Sequence, residues 1–271
     1  NVLTSMEFER LINAGGPTHG HVIRLTDRKI PRSVAFIQCV GSRSPQRGHP
    51  YCSNICCMNT VKSAIMLKEH YPEIEVKVFY IDIRAFGKGF EDLFRRSKGM
   101  GVRYIRGLPG SVKQDAAGQD LVLTVENTAT NELETYRAEM VILAVGLEPP
   151  AEMKHIQEML ALQKTSDGFY LEAHPKLQPV DSASRGIFFA GCAEGPKDIK
   201  DSVTQASAAA DANVNIDFMS SQLELGATGL TNGTLKIVDK RVIGDGKPGP
   251  LTRKLTKLFH EFACANGTEI K

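Results

Sequence analysis

The chain has 271 residues, 42% of them hydrophobic, a formal net charge of +2 and six cysteines. That length allows two modest domains with packed cores, and the near balance of charge gives no electrostatic case for nucleic acid as a partner. No apolar run reaches membrane-spanning length and the first residues do not read as a signal peptide, so a cytoplasmic, reducing compartment is expected, with membrane contact only through partners.

The opening Asn1-Val2-Leu3-Thr4 lacks a methionine, so the chain is expected to be part of a longer protein. Residues 34–37 form an apolar, β-rich run, which puts Cys39 where a strand ends. Cys52 and the adjacent pair Cys56-Cys57 follow. Ser53 or Asn54 can cap a helix whose apolar positions Met58, Val61 and Ile65 recur at helical spacing, so Cys56 and Cys57 fall in its first turn. Unpaired N–H groups and the macrodipole favour thiolate there, and an iron–sulfur cluster takes four deprotonated sulfurs. Arg43, Arg47 and His49 in the intervening loop offset part of the remaining charge.

Adjacent cysteines in a helix are poor disulfide partners, and structural zinc usually takes two separated C-x₂₋₄-C pairs, a spacing absent here. Cys39, Cys52, Cys56 and Cys57 are therefore candidate ligands of a cluster. Cys192 and Cys264 stand alone, and Cys264, on an apolar helical stretch, reads as a small buried residue.

Further along, residues 75–83 read as a strand, 89–99 as a helix and 102–105 as a strand, which gives βαβαβ order and a right-handed parallel sheet. Residues 121–126 and 135–137 read as a hairpin around 127–131, and residues 140–146 as a buried strand ending at Gly146. The order resembles the pyridine-nucleotide domain of flavin disulfide reductases. Where such a domain carries G-x-G-x-x-G after its first strand, this chain has Cys39-Val40-Gly41-Ser42-Arg43. Asp82, at the end of the second strand, has the place of a ribose ligand, but without a glycine-rich turn a solvated aspartate is favoured.

Residues 186–193 read as a short buried strand ending in the Gly191 turn, and residues 198–210 as a helix through Ser202, Gln205 and Ala206. In two-dinucleotide-fold flavoproteins this strand–turn–helix presents N–H groups to the flavin. Residues 244–250 read as a turn-rich connector, after which Leu251, Leu255, Leu258, Phe259 and Phe262 fall on one helical stripe, expected to dock on the chain's own domain, with docking on a partner as the alternative.

The run Phe36-Ile37-Gln38-Cys39-Val40-Gly41-Ser42-Arg43, the Cys52/Cys56/Cys57 pattern, Phe79-Tyr80-Ile81-Asp82-Ile83-Arg84-Ala85-Phe86-Gly87-Lys88-Gly89 and Gly191-Cys192-Ala193-Glu194-Gly195-Pro196-Lys197-Asp198-Ile199 together resemble the A-subunit family of heterodisulfide reductases. That family includes the A and B subunits of the quinone-interacting membrane-bound oxidoreductase. The resemblance covers roughly residues 1–219. Since residues 220–271 hold only Cys264, and no ferredoxin-type module, the A subunit of the latter is the most similar member.

The resemblance implies an α/β fold, the C-terminal part of a thioredoxin-reductase-like, two-dinucleotide-fold flavoprotein with a parallel sheet of βαβ units. The family's first G-x-G-x-x-G would precede residue 1. Residues 1–31 would link to that FAD half, 32–145 form a Rossmann-like domain carrying the cluster, 146–219 the C-terminal half of the FAD domain, and 220–271 an extension.

A [4Fe–4S] cluster on Cys39, Cys52, Cys56 and Cys57 is implied, and FAD held by Gly146, Gly191, Cys192, Ala193, Lys197, Asp198, Ile199 and Gln205. Lys197 is a candidate cation near the isoalloxazine, with a solvated loop lysine equally weighted. The implied role is an electron-transfer oxidoreductase subunit whose partners are other redox subunits bearing iron–sulfur or haem groups, with a homodimer as an alternative assembly. Two rivals are a flavin-dependent thiol–disulfide oxidoreductase using Cys56 or Cys57 and a scaffold whose cysteines hold zinc.

Overall fold

In a computed structural model, residues 1–219 other than 117 and 119 are described, together with residues 237, 238, 241 and 242. The amphipathic stripe at Leu251–Phe262, the 244–250 connector and Cys264 lie outside the described residues.

The chain begins with strand β1 (Val2–Thr4) and helix α1 (Ser5–Ile12). Thr4 and Glu7 close a capping box: Glu7 N–H donates to Thr4 Oγ1 at 3.2 Å, and Thr4 N–H donates to Glu7 Oε2 at 2.7 Å. The segment expected to be a linker thus contributes a strand and a helix to the fold. Strand β2 (Ser33–Val40) leads through the cysteine loop into α2 (Cys56–His70), then β3 (Glu75–Tyr80), α3 (Phe90–Gly99) and β4 (Arg103–Arg106). A meander of β5 (Pro109–Gln114), β6 (Leu121–Asn127) and β7 (Glu132–Ala138) is followed by β8 (Met140–Val145).

β1, β8, β2, β3 and β4 form, in that order, a five-stranded sheet whose paired strands are all parallel. The α/β reading with βαβ units is borne out, as is the hairpin, which pairs Asn127 with Glu132. Strand alternation explains the two cores. Val34 and Phe36 of β2 meet Phe8, Leu11, Ala64 and Leu67 on the helical face. Ala35 and Ile37 meet Phe79, Leu121, Leu123 and Val125 on the meander face. Each buried phenylalanine, Phe36 or Phe79, contributes about 2 kcal/mol from apolar burial alone.

α4 (Met153–Leu160) and the two-stranded sheet of β9 (Glu172–His174) and β10 (Gln178–Ser182) surround a third cluster. It holds Met153, Leu162, Tyr170 and Phe189, with the last two rings stacked at 5.5 Å. The strand expected at 186–193 does not form. Phe188 makes only an isolated bridge to Asp181, and Gly191–Ala193 is a 3₁₀ turn. Two backbone hydrogen bonds flank that bridge, Ser182 N–H to the Ile187 carbonyl at 3.0 Å and Phe189 N–H to the Val180 carbonyl at 2.7 Å, and the chain then turns at Gly191. α5 (Ile199–Met219) follows, and β11 (Ile237–Val238) pairs antiparallel with β12 (Arg241–Val242). Among the described residues no helix is long and apolar enough to cross a membrane.

Candidate functional site: four thiols at the switch point of the sheet

From β2 the chain winds outward through β3 to β4, while β8 returns to the opposite side of β2. The crevice at the carboxyl ends of β2 and β8 is thus the point where strand order reverses, the usual place for a ligand in a parallel α/β sheet. Cys39 ends β2 there.

Its direction is set by a bulge. Ile37 pairs with Leu143 and Val40 with Val145, so Gln38 and Cys39 together oppose Ala144. Ile37 and Val40 both pack on the meander face although an unbroken strand would put residues three apart on opposite faces. The bulge therefore frees Cys39, whose φ is +57°, from the face that alternation would assign it, toward the helical side.

Cys56 and Cys57 occupy the first turn of α2, as the sequence predicts, but neither Ser53 nor Asn54 caps the helix. Ile55 is the N-cap, without a side-chain hydrogen bond. Ser53 is fully buried and its Oγ accepts from Leu147 N–H at 2.8 Å instead. Asn54, at φ +62°, sends its Nδ2 to the Pro196 carbonyl at 2.8 Å. The helix start thus has no side-chain cap, and its first N–H groups lack intrahelical partners.

Cys52 accepts from Asn54 N–H at 3.3 Å, while Cys56 Sγ lies 3.6 Å from the Val145 carbonyl and Cys57 Sγ 3.8 Å from that of Asp82. All four are free thiols and Cys57 is buried. Burial, then the charges of the neighbouring cysteines, pushes the Cys56 thiol up to about 12, and burial also raises Cys39 and Cys57. The thiolate preference expected from the helix N-terminus is thus outweighed by desolvation and mutual repulsion. Four thiols whose anions repel one another are suited to a cationic metal group that takes them together.

Arg43 lies beside this group, donating to Asp82 Oδ1 at 2.6 Å, with Arg84 3.6 Å from the same oxygen. Burial opposes ionisation of Asp82, but the Arg43 hydrogen bond and both guanidinium charges hold its carboxyl below the usual range. Asp82 is a partner of the cysteine loop's arginine. His49 faces Glu148 at 3.3 Å, and Tyr51 O–H donates to the Leu147 carbonyl at 3.0 Å.

Gly146 seals the crevice. A Cβ at this position would come within 3.0 Å of Ser42 Cβ, 3.1 Å of Ser53 Oγ and 3.2 Å of the Gly41 carbonyl. A side chain here would press on the cysteine loop, which would have to give by a few tenths of an ångström.

The second constellation adjoins the first through Asn54 and Pro196. Gly191 takes φ +71°, and the Ala193 carbonyl accepts from Tyr170 N–H at 3.0 Å. Lys197 is not a solvated loop lysine. Its Nζ donates to the Gly191 carbonyl at 2.7 Å, Glu194 Oε2 at 2.7 Å and the Gly195 carbonyl at 3.1 Å, which locks the turn around it. Asp198 Oδ1 accepts from Asp201 N–H at 2.7 Å and so caps α5. Cys192 is exposed, its Sγ 3.6 Å from the Lys197 carbonyl. Ile199, the first residue of α5, is also exposed. Gln205 donates to Glu194 Oε2 at 3.0 Å while its own Oε1 is buried without a partner.

Sequence reasoning passed over Gln38 and the bridging role of Asn54. A glutamine inside the apolar run 34–40 was the available signal for the first, and no local pattern announces the second.

No family model matches the chain. It is 50% identical over 211 residues to the iron–sulfur A-subunit 2 of the CoB–CoM heterodisulfide reductase of Methanopyrus kandleri, covering 78% of this chain and 32% of that protein. It is 47% identical over 228 residues to the A subunit of the H₂:CoB–CoM heterodisulfide, ferredoxin reductase of Methanothermobacter thermautotrophicus, covering 83% and 34%. Among solved structures it is similar to T. acidophilum thioredoxin reductase, at TM-score 0.46 and 13% identity over 69% of this chain and 53% of that one. The chain spans about a third of the length of the curated relatives it matches. On the identity it shares with them, it belongs to the A-subunit family of heterodisulfide reductases.

Proposed function

We propose that this chain is part of an electron-transfer subunit of a heterodisulfide reductase-type complex, binding a [4Fe–4S] cluster on Cys39, Cys52, Cys56 and Cys57 and contributing half of an FAD site. The observation that carries the reading is the meeting of four free thiols from a strand end, a loop and a helix start at the switch point of the sheet. A cubane cluster, in which each thiolate binds a different iron, would use all four of these cysteines.

When bound, the cluster supplies one-electron transfer and the flavin links two-electron to one-electron chemistry. The protein's own groups position and shield. Cys39 is aimed by the bulge, Cys56 and Cys57 by the uncapped helix, and Arg43 brings positive charge to a site whose ligands are anionic. Gly146, the Gly191–Ala193 turn, Lys197, Asp198, Ile199 and Gln205 form the surface offered to the flavin, where Gln205 Oε1 is the acceptor in want of a donor. In this division residues 32–145 carry the cluster and 146–219 belong to the FAD domain.

The electrons pass on to other redox subunits of the complex, as the relatives' names, which make each of them one component of a multi-subunit reductase, suggest. Iron, acid-labile sulfide and zinc analysis of anaerobically purified protein is the test. About four iron and four sulfide per chain are expected for a Cys₄ cubane. Stoichiometric zinc without sulfide would select the scaffold reading, and neither metal nor sulfide the thiol–disulfide one.

A further inference from the structure

Gln38 is fully buried, and both its Oε1 and its Nε2 lack a hydrogen-bond partner. An orphaned amide inside a protein is costly, so its presence in a β2 run otherwise filled by Val34, Ala35, Phe36 and Ile37 calls for a use. Its place in the fold says which. Ile37 and Val40 face the meander, leaving Gln38 and Cys39 on the other side of the bulge, opposite Ala144. That is the side of α2, at the end of β2 from which the chain runs to Cys56 and Cys57.

We propose that the Gln38 side-chain amide is a hydrogen-bond donor to a sulfur of the group bound by Cys39, Cys52, Cys56 and Cys57, and raises its reduction potential. The inference rests on the cluster reading above and goes beyond it by assigning a positioning residue that is not a ligand. Hydrogen bonds to cluster sulfurs stabilise the reduced, more negative state more than the oxidised one, and no other side-chain amide of the sequence run 34–43 is available to do so.

The test uses anaerobically purified full-length protein with glutamine labelled at its side-chain ¹⁵N. After one-electron reduction by dithionite, pulsed paramagnetic resonance should show a ¹⁵N coupling and an exchangeable proton coupling at the cluster. Gln38→Met, which keeps the volume and removes the donor, should abolish both while retaining iron and sulfide. Its reduction equilibrium should shift about tenfold toward the oxidised state, which is 59 mV for one electron.

Absence of both couplings in the unsubstituted, cluster-loaded protein would overturn the proposal without needing any variant. So would a Gln38→Met protein with unchanged potential and couplings. If the unsubstituted protein binds no iron or sulfide at all, it is the cluster reading that has failed, and this assignment with it.

Discussion

Asn54 donates through Nδ2 to the carbonyl of Pro196, 142 residues away, at 2.8 Å. That single bond ties the loop carrying Cys52, just before α2, to the turn before α5, so the two candidate cofactor surfaces are joined by one side chain.

Asn54 also sits at φ +62°, a conformation that asparagine and glycine adopt at less cost than alanine. Asn54→Gly should lower stability by about 1 kcal/mol through the lost hydrogen bond, and Asn54→Ala by about 1 kcal/mol more through backbone strain. Urea midpoints of the two variants measure the difference. Equal midpoints would show that the strain is absent.

Cys57→Ala should leave the fold largely intact, at a stability loss of about 1 kcal/mol, because the side chain is small although buried. The broad visible absorbance and the paramagnetic signal on reduction should be lost or altered, since one iron loses its ligand. A spectrum and iron content matching the unsubstituted protein would show that Cys57 is no ligand.

The cysteine loop fills the crevice at the ends of β2 and β8 where a dinucleotide's pyrophosphate would need a glycine-rich turn. Flavin-replete full-length protein is therefore expected not to oxidise NADH or NADPH by itself. Anaerobic titration with each nucleotide checks this, and rapid bleaching of the flavin by either would reverse the conclusion.

Glu139, between β7 and β8, accepts from Arg32 N–H at 2.7 Å and Arg32 Nε at 2.8 Å, with Arg24 at 3.2 Å. Burial pushes its carboxyl up, but the Arg32 hydrogen bonds and the two arginine charges prevail and hold it below the usual range. A depressed carboxylate stabilises the fold above its unfolded pKa, and that stability disappears as pH falls through the folded value. Glu139→Gln should therefore cost about 1.5 kcal/mol at pH 7, the gap closing below the ordinary glutamate range near pH 4. Urea unfolding at several pH values checks it, and a pH-independent gap would rule out the charge as the cause.

Much of the fold lay in local pattern. The alternation of residues 34–37, the helical spacing of Val61 and Ile65 and the apolar 140–145 run each name their element, because periods of 2 and 3.6 are set by backbone geometry. The capping box at Thr4 and Glu7 went unread in a segment expected to be a linker; it begins α1, directly after the edge strand β1 that pairs with β8. Clustering of four cysteines in a short window also pointed to a metal group by residue type alone. What sequence could not supply was everything fixed by nonlocal pairing. Ser53 serves Leu147 and Asn54 serves Pro196 rather than capping α2, the bulge opposite Ala144 redirects Cys39, and Gln38 loses every partner. Those outcomes depend on which segments meet across the sheet, and a hydrogen bond's competing partner, 94 or 142 residues distant, leaves no mark on the local sequence.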